Sequence, residues 1–379
     1  MNESYQKFRG SVAFKLIFLW LTLIFIGGLY LRFSSRGGEN SKGPQVVHMA
    51  ERLIVVANHS DNLTPETRAQ LREVALQVEQ EESLKALIKG ELVDSVVIED
   101  LSPTYKLMAQ QIMEEQPERT ERLKELAREG ERRFSITAGL LSLIAVLCLG
   151  TFFLPKKETG EPVSVPIDPA GAIALFLLWD VTGFFGGGIL VGLLRQVLDP
   201  FLMVFVLQSI VYGLMLFLLM KAKLPLGELF KPFKWSWIGK GYLLSLGAVF
   251  SINIALTKIL GESPQSENPV LELFLDAAAW KFGLLGLLVV FVGPVFEELM
   301  FRGWIIGGLR EKWGDRAAIV FSAALFALIH GDLPGMPALF ALGLVFGWVY
   351  RRSGSLWASI LVHGMWNATT FSLLISVMP

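Results

Sequence analysis

The chain has 379 residues, 53% of them hydrophobic and only 18% charged, with a mean hydropathy of +0.50. That balance excludes an ordinary soluble globular protein and indicates a polytopic membrane protein. A formal net charge of −1 gives no global attraction to nucleic acid, and the single Cys148 has no disulfide partner in the chain, so redox chemistry is not supported.

Apolar runs, set against the roughly 20 residues that cross hydrocarbon, predict an all-α bundle of about nine spans. They fall near Val12–Phe33, Phe134–Leu154, Ala170–Leu194, Phe201–Met220, Ile238–Leu260, Trp280–Leu309, Arg316–His330, Met336–Tyr350 and Leu356–Met378. The first reads as a retained anchor, because its apolar stretch is longer than a signal-peptide core and no small-x-small pattern follows Tyr30. Between the first two spans lies a different material. Leu71, Val74, Ala75 and Val78, then Leu84, Leu87 and Ile88, recur at helical spacing, and a charged helix from Thr120 to Arg133 leads back into the membrane. Pro65 and Glu66 after Thr64 signal a helix start, and Leu101-Ser102-Pro103 breaks the next run. The expected organisation is an anchor (1–33), a small helical extramembrane module (34–133), accessory spans (134–260) and a C-terminal catalytic unit (280–377). The module reads as a spacer or a contact surface for a protein partner. His48 and His59 read as surface residues, and the sequons at Asn58 and Asn62 are weak signals.

Loop charges orient the bundle. Lys221, Lys223, Lys231, Lys234 and Lys240 lie between the fourth and fifth spans, and Lys312, Arg316, Arg351 and Arg352 occupy later short loops. These alternate with Glu262, Glu267, Glu272 and Asp276. The basic loops are assigned to the cytoplasm, which places the N-terminus inside and residues 34–133 outside a cell membrane. Arg132 and Arg133 run against this orientation, although long translocated segments are largely exempt from the charge rule.

Chemistry concentrates at the C-terminal end. Glu297, Glu298 and Arg302 interrupt an otherwise apolar segment, where a charged side chain at the centre costs at least ~2.5 kcal/mol. Glu298 and Arg302 are four apart and can pair on one helix face, which turns Glu297 toward another neighbour. His330 follows on the next span, then His363 and Asn367, again four apart. From the expected span ends, Glu297 lies roughly 18 Å deep, His330 roughly 21 Å, and His363 and Asn367 roughly 11 to 17 Å. A carboxylate, two imidazoles and an amide at similar depth suit general base catalysis with oxyanion stabilisation. Blander roles are also open: a register-fixing ion pair for Glu298 and Arg302, an interhelical tie for Asn367 and a helix cap for His330. Asp180, beside Gly183, Gly186, Gly187 and Gly188, reads as the mark of a kinked, closely packed helix. Phe326 reads as packing, and Trp235 and Trp237 as interfacial anchors.

Glu297-Glu298-x-x-x-Arg302, Phe326-x-x-x-His330 and His363-x-x-x-Asn367, in that order on successive spans, resemble the motifs of the CPBP intramembrane protease family. That family includes type II CAAX prenyl endopeptidases and bacteriocin-processing or self-immunity proteins. The resemblance covers roughly Trp280 to Val377. It implies an intramembrane endopeptidase acting on a membrane-associated peptide or protein. Glu297 would activate water with help from His330, His363 and Asn367 would stabilise the oxyanion, and Glu298 with Arg302 would hold the helix. Two His and a carboxylate (His330, His363 and Glu297) are also an accepted zinc set, but no HExxH arrangement is present, and the metal-free chemistry is the preferred expectation. A catalytically silent scaffold or immunity protein is one alternative. A transporter is another, although no paired broken helices in repeated halves are found.

Overall fold

The structure, a computed structural model, describes residues 12–34, 44–61, 63–78, 82–89, 103–113, 117–150, 163, 165, 167–194, 196–260 and 279–377. The secondary structure of these residues is entirely helical. In chain order the helices are α1 (Val12–Ser34), α2 (Pro44–His59), α3 (Pro65–Val78), α4 (Glu82–Ile88), α5 (Pro103–Met113), α6 (Pro117–Gly150) and α7 (Pro169–Val181). There follow α8 (Gly187–Leu194), α9 (Pro200–Lys221), α10 (Leu226–Leu229), α11 (Ser236–Leu260), α12 (Ala279–Gly286), α13 (Gly293–Glu298), α14 (Gly307–Ile329), α15 (Met336–Ser353) and α16 (Leu356–Val377). Three π-helical segments, Thr182–Gly186, Leu287–Val292 and Leu299–Ile306, join α7 to α8, α12 to α13 and α13 to α14.

Among the described residues four helical runs are long and apolar enough to cross a membrane: Pro169–Leu194, Phe201–Lys221, Ser236–Leu256 and Trp280–Ile329; Phe14–Gly27 is a shorter apolar stretch. These runs correspond to the expected spans near Ala170–Leu194, Phe201–Met220 and Ile238–Leu260 and to the stretch that holds Trp280–Leu309 and Arg316–His330. The expected pair Trp280–Leu309 and Arg316–His330 is one helical run with a break at Gly314, whose φ of 79° is open to glycine and costly for other residues. Helices α15 and α16 are not in that set among the described residues; Arg351 and Arg352 make α15 less apolar.

Contacts divide the chain into two compact units. In one, comprising residues 1–39, 145–267 and 278–368, an apolar core runs through Phe176, Met300, Phe301, Trp304, Phe326, Phe346 and Val349. Local chemistry sets its helix starts. Asp168 and Asp199 each precede a proline at the first helical position and accept a backbone N–H of the new turn, at 3.0 Å from Gly171 and 2.9 Å from Phe201. The Trp304 indole donates to the Ala172 carbonyl at 3.0 Å, which ties α7 to the π segment ahead of α14. Within this unit α14 and α15 pack along each other, and α11 packs on α15. Trp235 is exposed as an interfacial anchor would be, but Trp237 packs edge-on against Trp348 at 5.4 Å.

The other unit comprises residues 40–144, 268–277 and 369–379. Leu53, Ile54, Leu84, Leu87, Ile88, Tyr105, Met108, Leu123 and Ala127 form its small core. Helix α3 starts at Pro65, with the Thr67 N–H donating to the Thr64 hydroxyl at 3.3 Å. Of its expected apolar face, Ala75 is buried whereas Val74 is exposed. The charged run is part of α6, which continues without a break to Gly150; its Leu123 and Ala127 point into the core rather than to solvent. Asn62 and the side chains of His48, Val78 and Cys148 lie outside what the structure describes.

Candidate active site

The acidic pair sits on α13, a six-residue α-helical piece held between two π segments. Pro294 explains part of this. It has no N–H, so the carbonyls of Val289 and Val290, one turn back, lose the donor an ordinary residue would supply. Asn367 of α16 replaces that donor at Val289, its Nδ2 lying 2.9 Å from the carbonyl oxygen. Beside it, a Cβ on Gly364 would stand only 2.7 Å from the Val290 oxygen, so only glycine lets α16 approach this closely. π segments recur at functional sites because they re-aim side chains. Here they aim two adjacent carboxylates differently.

Glu298 points into protein. It and Arg302 are both 0% exposed, and Arg302 Nη1 donates to Glu298 Oε1 at 2.8 Å while Nη2 donates to the Gly343 carbonyl at 3.1 Å. Ser359 donates its hydroxyl to Glu298 Oε2, and His363 Nδ1 stands 3.0 Å from Oε1. The guanidinium is also walled by rings, 4.9 Å from the Phe326 centroid and 5.3 Å from Phe346. Glu298 is thus fully partnered: one cation and two hydrogen-bonding side chains share its oxygens.

Glu297 is differently placed. Its side chain is 24% exposed, and Oε2 is buried with no hydrogen-bond partner among the described residues, 3.8 Å from His363 Nε2. His363, 4% exposed, therefore lies between the two carboxylates, with Nδ1 toward Glu298 and Nε2 toward Glu297, its ring stacked 4.6 Å from Phe346. A neutral ring that donates from Nδ1 keeps its lone pair on Nε2; a protonated ring can bridge both acids. His330 ends α14, where its Nδ1 is 2.6 Å from the Phe326 carbonyl and its ring 4.6 Å from the Phe326 ring.

Glu297 and His330 open on one cavity of about 320 Å³, whose other walls include Trp179, Asp180, Gln208, Tyr212 and Phe296. A second, apolar cavity of about 230 Å³ lies between α8 and α9 and shares Gly183 and Val211 with the first. His363 and Asn367 are not among the residues lining either cavity. The six expected site residues thus fall into three settings. Glu297 and His330 face the cavity, Glu298, Arg302 and His363 form a buried cluster behind it, and Asn367 ties α16 to the π segment. Among the described residues no three His, Cys, Asp or Glu side chains gather into a group that could hold a metal ion.

Sequence reasoning missed Ser359, although it lies four residues before His363, on the same face of α16. It also missed Gln208 and Tyr212, a polar pair four apart in an otherwise apolar span. Asp180 lies two residues before the π segment Thr182–Gly186, in the stretch expected to be kinked from its glycines, and it also lines the cavity.

Residues 279–369, the stretch that holds all six, match the family described as type II CAAX prenyl endopeptidase Rce1-like. That stretch is similar to the Rce1-like family over about a quarter of the chain. Two curated relatives are similar to part of the chain. The "Putative membrane peptidase YdiL" of Bacillus subtilis (strain 168) is 31% identical over 146 residues, 38% of this chain and 57% of the relative. The "UPF0177 protein YbdI" of Lactococcus lactis is 30% identical over 104 residues, 27% of this chain and 54% of the relative. The chain thus spans little more than half the length of these relatives, and no solved structure matches it. Within the Rce1-like region lie α12 to α15 and most of α16. The opposite cavity wall, from α7 and α9, lies outside it.

Proposed function

We propose that the chain is an intramembrane endopeptidase that hydrolyses a peptide bond in a membrane-associated peptide or protein. The observation that carries this reading is the contrast between neighbours. Glu298 is saturated by Arg302, Ser359 and His363, while Glu297 keeps a buried, unpartnered oxygen at a cavity it shares with His330. A carboxylate so placed can take a proton from water. The water oxygen then attacks the peptide carbonyl carbon and its proton passes to Glu297, as the carbonyl electron pair moves to oxygen. His330, on the cavity wall, positions the water. The oxyanion roles expected of His363 and Asn367 would require the scissile carbonyl to reach past the cavity wall toward α16. On collapse the C=O bond reforms, the C–N bond breaks, and the proton held by Glu297 goes to the leaving amine. The adjoining apolar cavity suits an aliphatic side chain or a prenyl group next to the scissile bond. The metal-free chemistry is the one carried into this reading.

The test is a comparison of newly formed protein termini in membranes of cells producing the wild type or Glu297→Gln. Termini present only with the wild type support the reading. Glu297→Gln, His330→Ala and His363→Ala should each lose about 100-fold or more in cleavage while still inserting and folding. Wild-type turnover by purified Glu297→Gln would reject Glu297 as the base. Identical termini in both membranes would favour a silent scaffold.

A further inference from the structure

A carbonyl bound in the cavity beside Glu297 meets few hydrogen donors. The Trp179 indole N–H is given to the Val211 carbonyl at 3.2 Å, and His330 Nδ1 to the Phe326 carbonyl at 2.6 Å. Asp180 and Glu297, as carboxylates, only accept. Gln208 directs an amide N–H to the Tyr212 hydroxyl oxygen at 3.1 Å. Because that oxygen already accepts from Gln208, the hydrogen of the Tyr212 hydroxyl is directed elsewhere, and Tyr212 lines the cavity. Its ring is fixed, stacked on Phe296 with centroids 4.1 Å apart and planes within 2°. Phe296 directly precedes Glu297. The Tyr212 oxygen lies 3.5 Å, and Glu297 Oε1 3.6 Å, from the point where a Cβ on Gly293 would stand, so hydroxyl and carboxylate flank one spot on the helix.

We infer that Tyr212, oriented by Gln208, donates a hydrogen bond to the carbonyl oxygen of the bond being cleaved, and is a further catalytic residue supplied from α9. It lies outside the Rce1-like region, so the accessory spans complete the site rather than merely surround it. The donor acts where negative charge develops: as water attacks and its proton moves to Glu297, the electron pair arriving on the carbonyl oxygen is met by the Tyr212 hydrogen. Charge-assisted donation of this kind is strongest in a water-poor cavity.

This inference rests on the endopeptidase reading, and the experiment separates the two. The probe is a quenched fluorescent peptide spanning the strongest cleavage site that depends on Glu297 in the membrane comparison. Tyr212→Phe keeps the ring on Phe296 and removes only the hydroxyl; it should lower kcat about 100-fold with KM within about twofold and an unchanged melting temperature in detergent. Gln208→Leu, which frees the hydroxyl to turn, should give a smaller loss, about tenfold. Wild-type kcat in Tyr212→Phe overturns the inference and leaves the endopeptidase reading standing, as does a loss confined to KM or a mere shift of the acid limb of the pH profile. Absence of any Glu297-dependent cleavage by the wild type overturns both.

Discussion

Arg302 reaches three groups at once: the Glu298 carboxylate, the Gly343 carbonyl and the faces of Phe326 and Phe346. A lysine could not reproduce this fork, and an apolar residue would leave Glu298 charged and buried. Arg302→Met should therefore cost about 3–5 kcal/mol of stability, seen as a lower melting temperature in detergent, and Glu298→Gln in the same chain should recover part of it. An unchanged melting temperature would show that the pair does not hold the bundle. The metal question belongs to the same residues. Zinc would need Nε2 of His330 and His363 and the Glu297 carboxylate to converge; Nδ1 of His330 is against the Phe326 carbonyl and that of His363 against Glu298, an arrangement that metal-bound imidazoles also adopt. A preparation shown to be free of metal should keep its turnover; loss restored by one equivalent of zinc per chain would instead establish a zinc-generated nucleophile. At this scale the sequence was informative where charge stood in an apolar run. Glu297, Glu298 and Arg302 were legible because burial makes them costly, and the four-residue spacing fixed which acid pairs with arginine. The division of labour between the acids was legible too, but the donor to Val289 was not, because it depends on a proline that disrupts helix bonding on a different element.

At the scale of elements, the π segments determine which way side chains point, and they are the least legible features, since no residue type compels them. The glycines near Asp180 mark one kinked stretch in advance, whereas Pro294 marks the segment beside it only in retrospect. The small helical module was legible in its core. Leu84, Leu87 and Ile88 are buried as their spacing indicates, while Val74 is exposed because the packing there needs only Ala75 and part of Leu71. His59 ends α2, and burial together with the positive charges of Lys124 and Arg72 lowers its pKa below the usual 6.5. The folded module thus favours the neutral ring. Its contribution to stability is fully present above about 6.5 and is lost as pH falls through the lowered folded value. The protection of the Leu53 to Ala57 amides, taken relative to their intrinsic exchange rates in the full chain, should accordingly fall between neutral and mildly acidic pH, and His59→Gln should flatten that dependence. Equal pH dependence in both chains would show that His59 does not set it.

For the molecule as a whole, orientation follows from where positive charge collects. Lys221, Lys223, Lys231 and Lys234 lie in the connection between α9 and α11, and Arg351 and Arg352 close α15. These belong to one end of the bundle, because the Ser355 hydroxyl donates to the Lys231 carbonyl at 2.6 Å and so joins the two connections directly. Arg310 and Arg351 share Asp315 there, which leaves the neighbouring Lys312, Arg316 and Arg352 as further cations on the same side. At the start of α9 and α12, Asp199 and Lys281 form a pair 3.6 Å apart, so the positive charge there is offset. The basic end should face the cytoplasm, and counting spans back from it places residues 34–133 outside. Cysteine at Asp61, an exposed position in the module, should react with a membrane-impermeant maleimide on intact cells, in a chain whose Cys148 is replaced by alanine. Cysteine at Glu228, exposed in the lysine-rich connection, should react only after lysis. The reverse pattern would invert the bundle and place the basic connections outside. Labelling of both positions on intact cells would show instead that an even number of crossings separates the module from the connection, where the nine-span reading has an odd number.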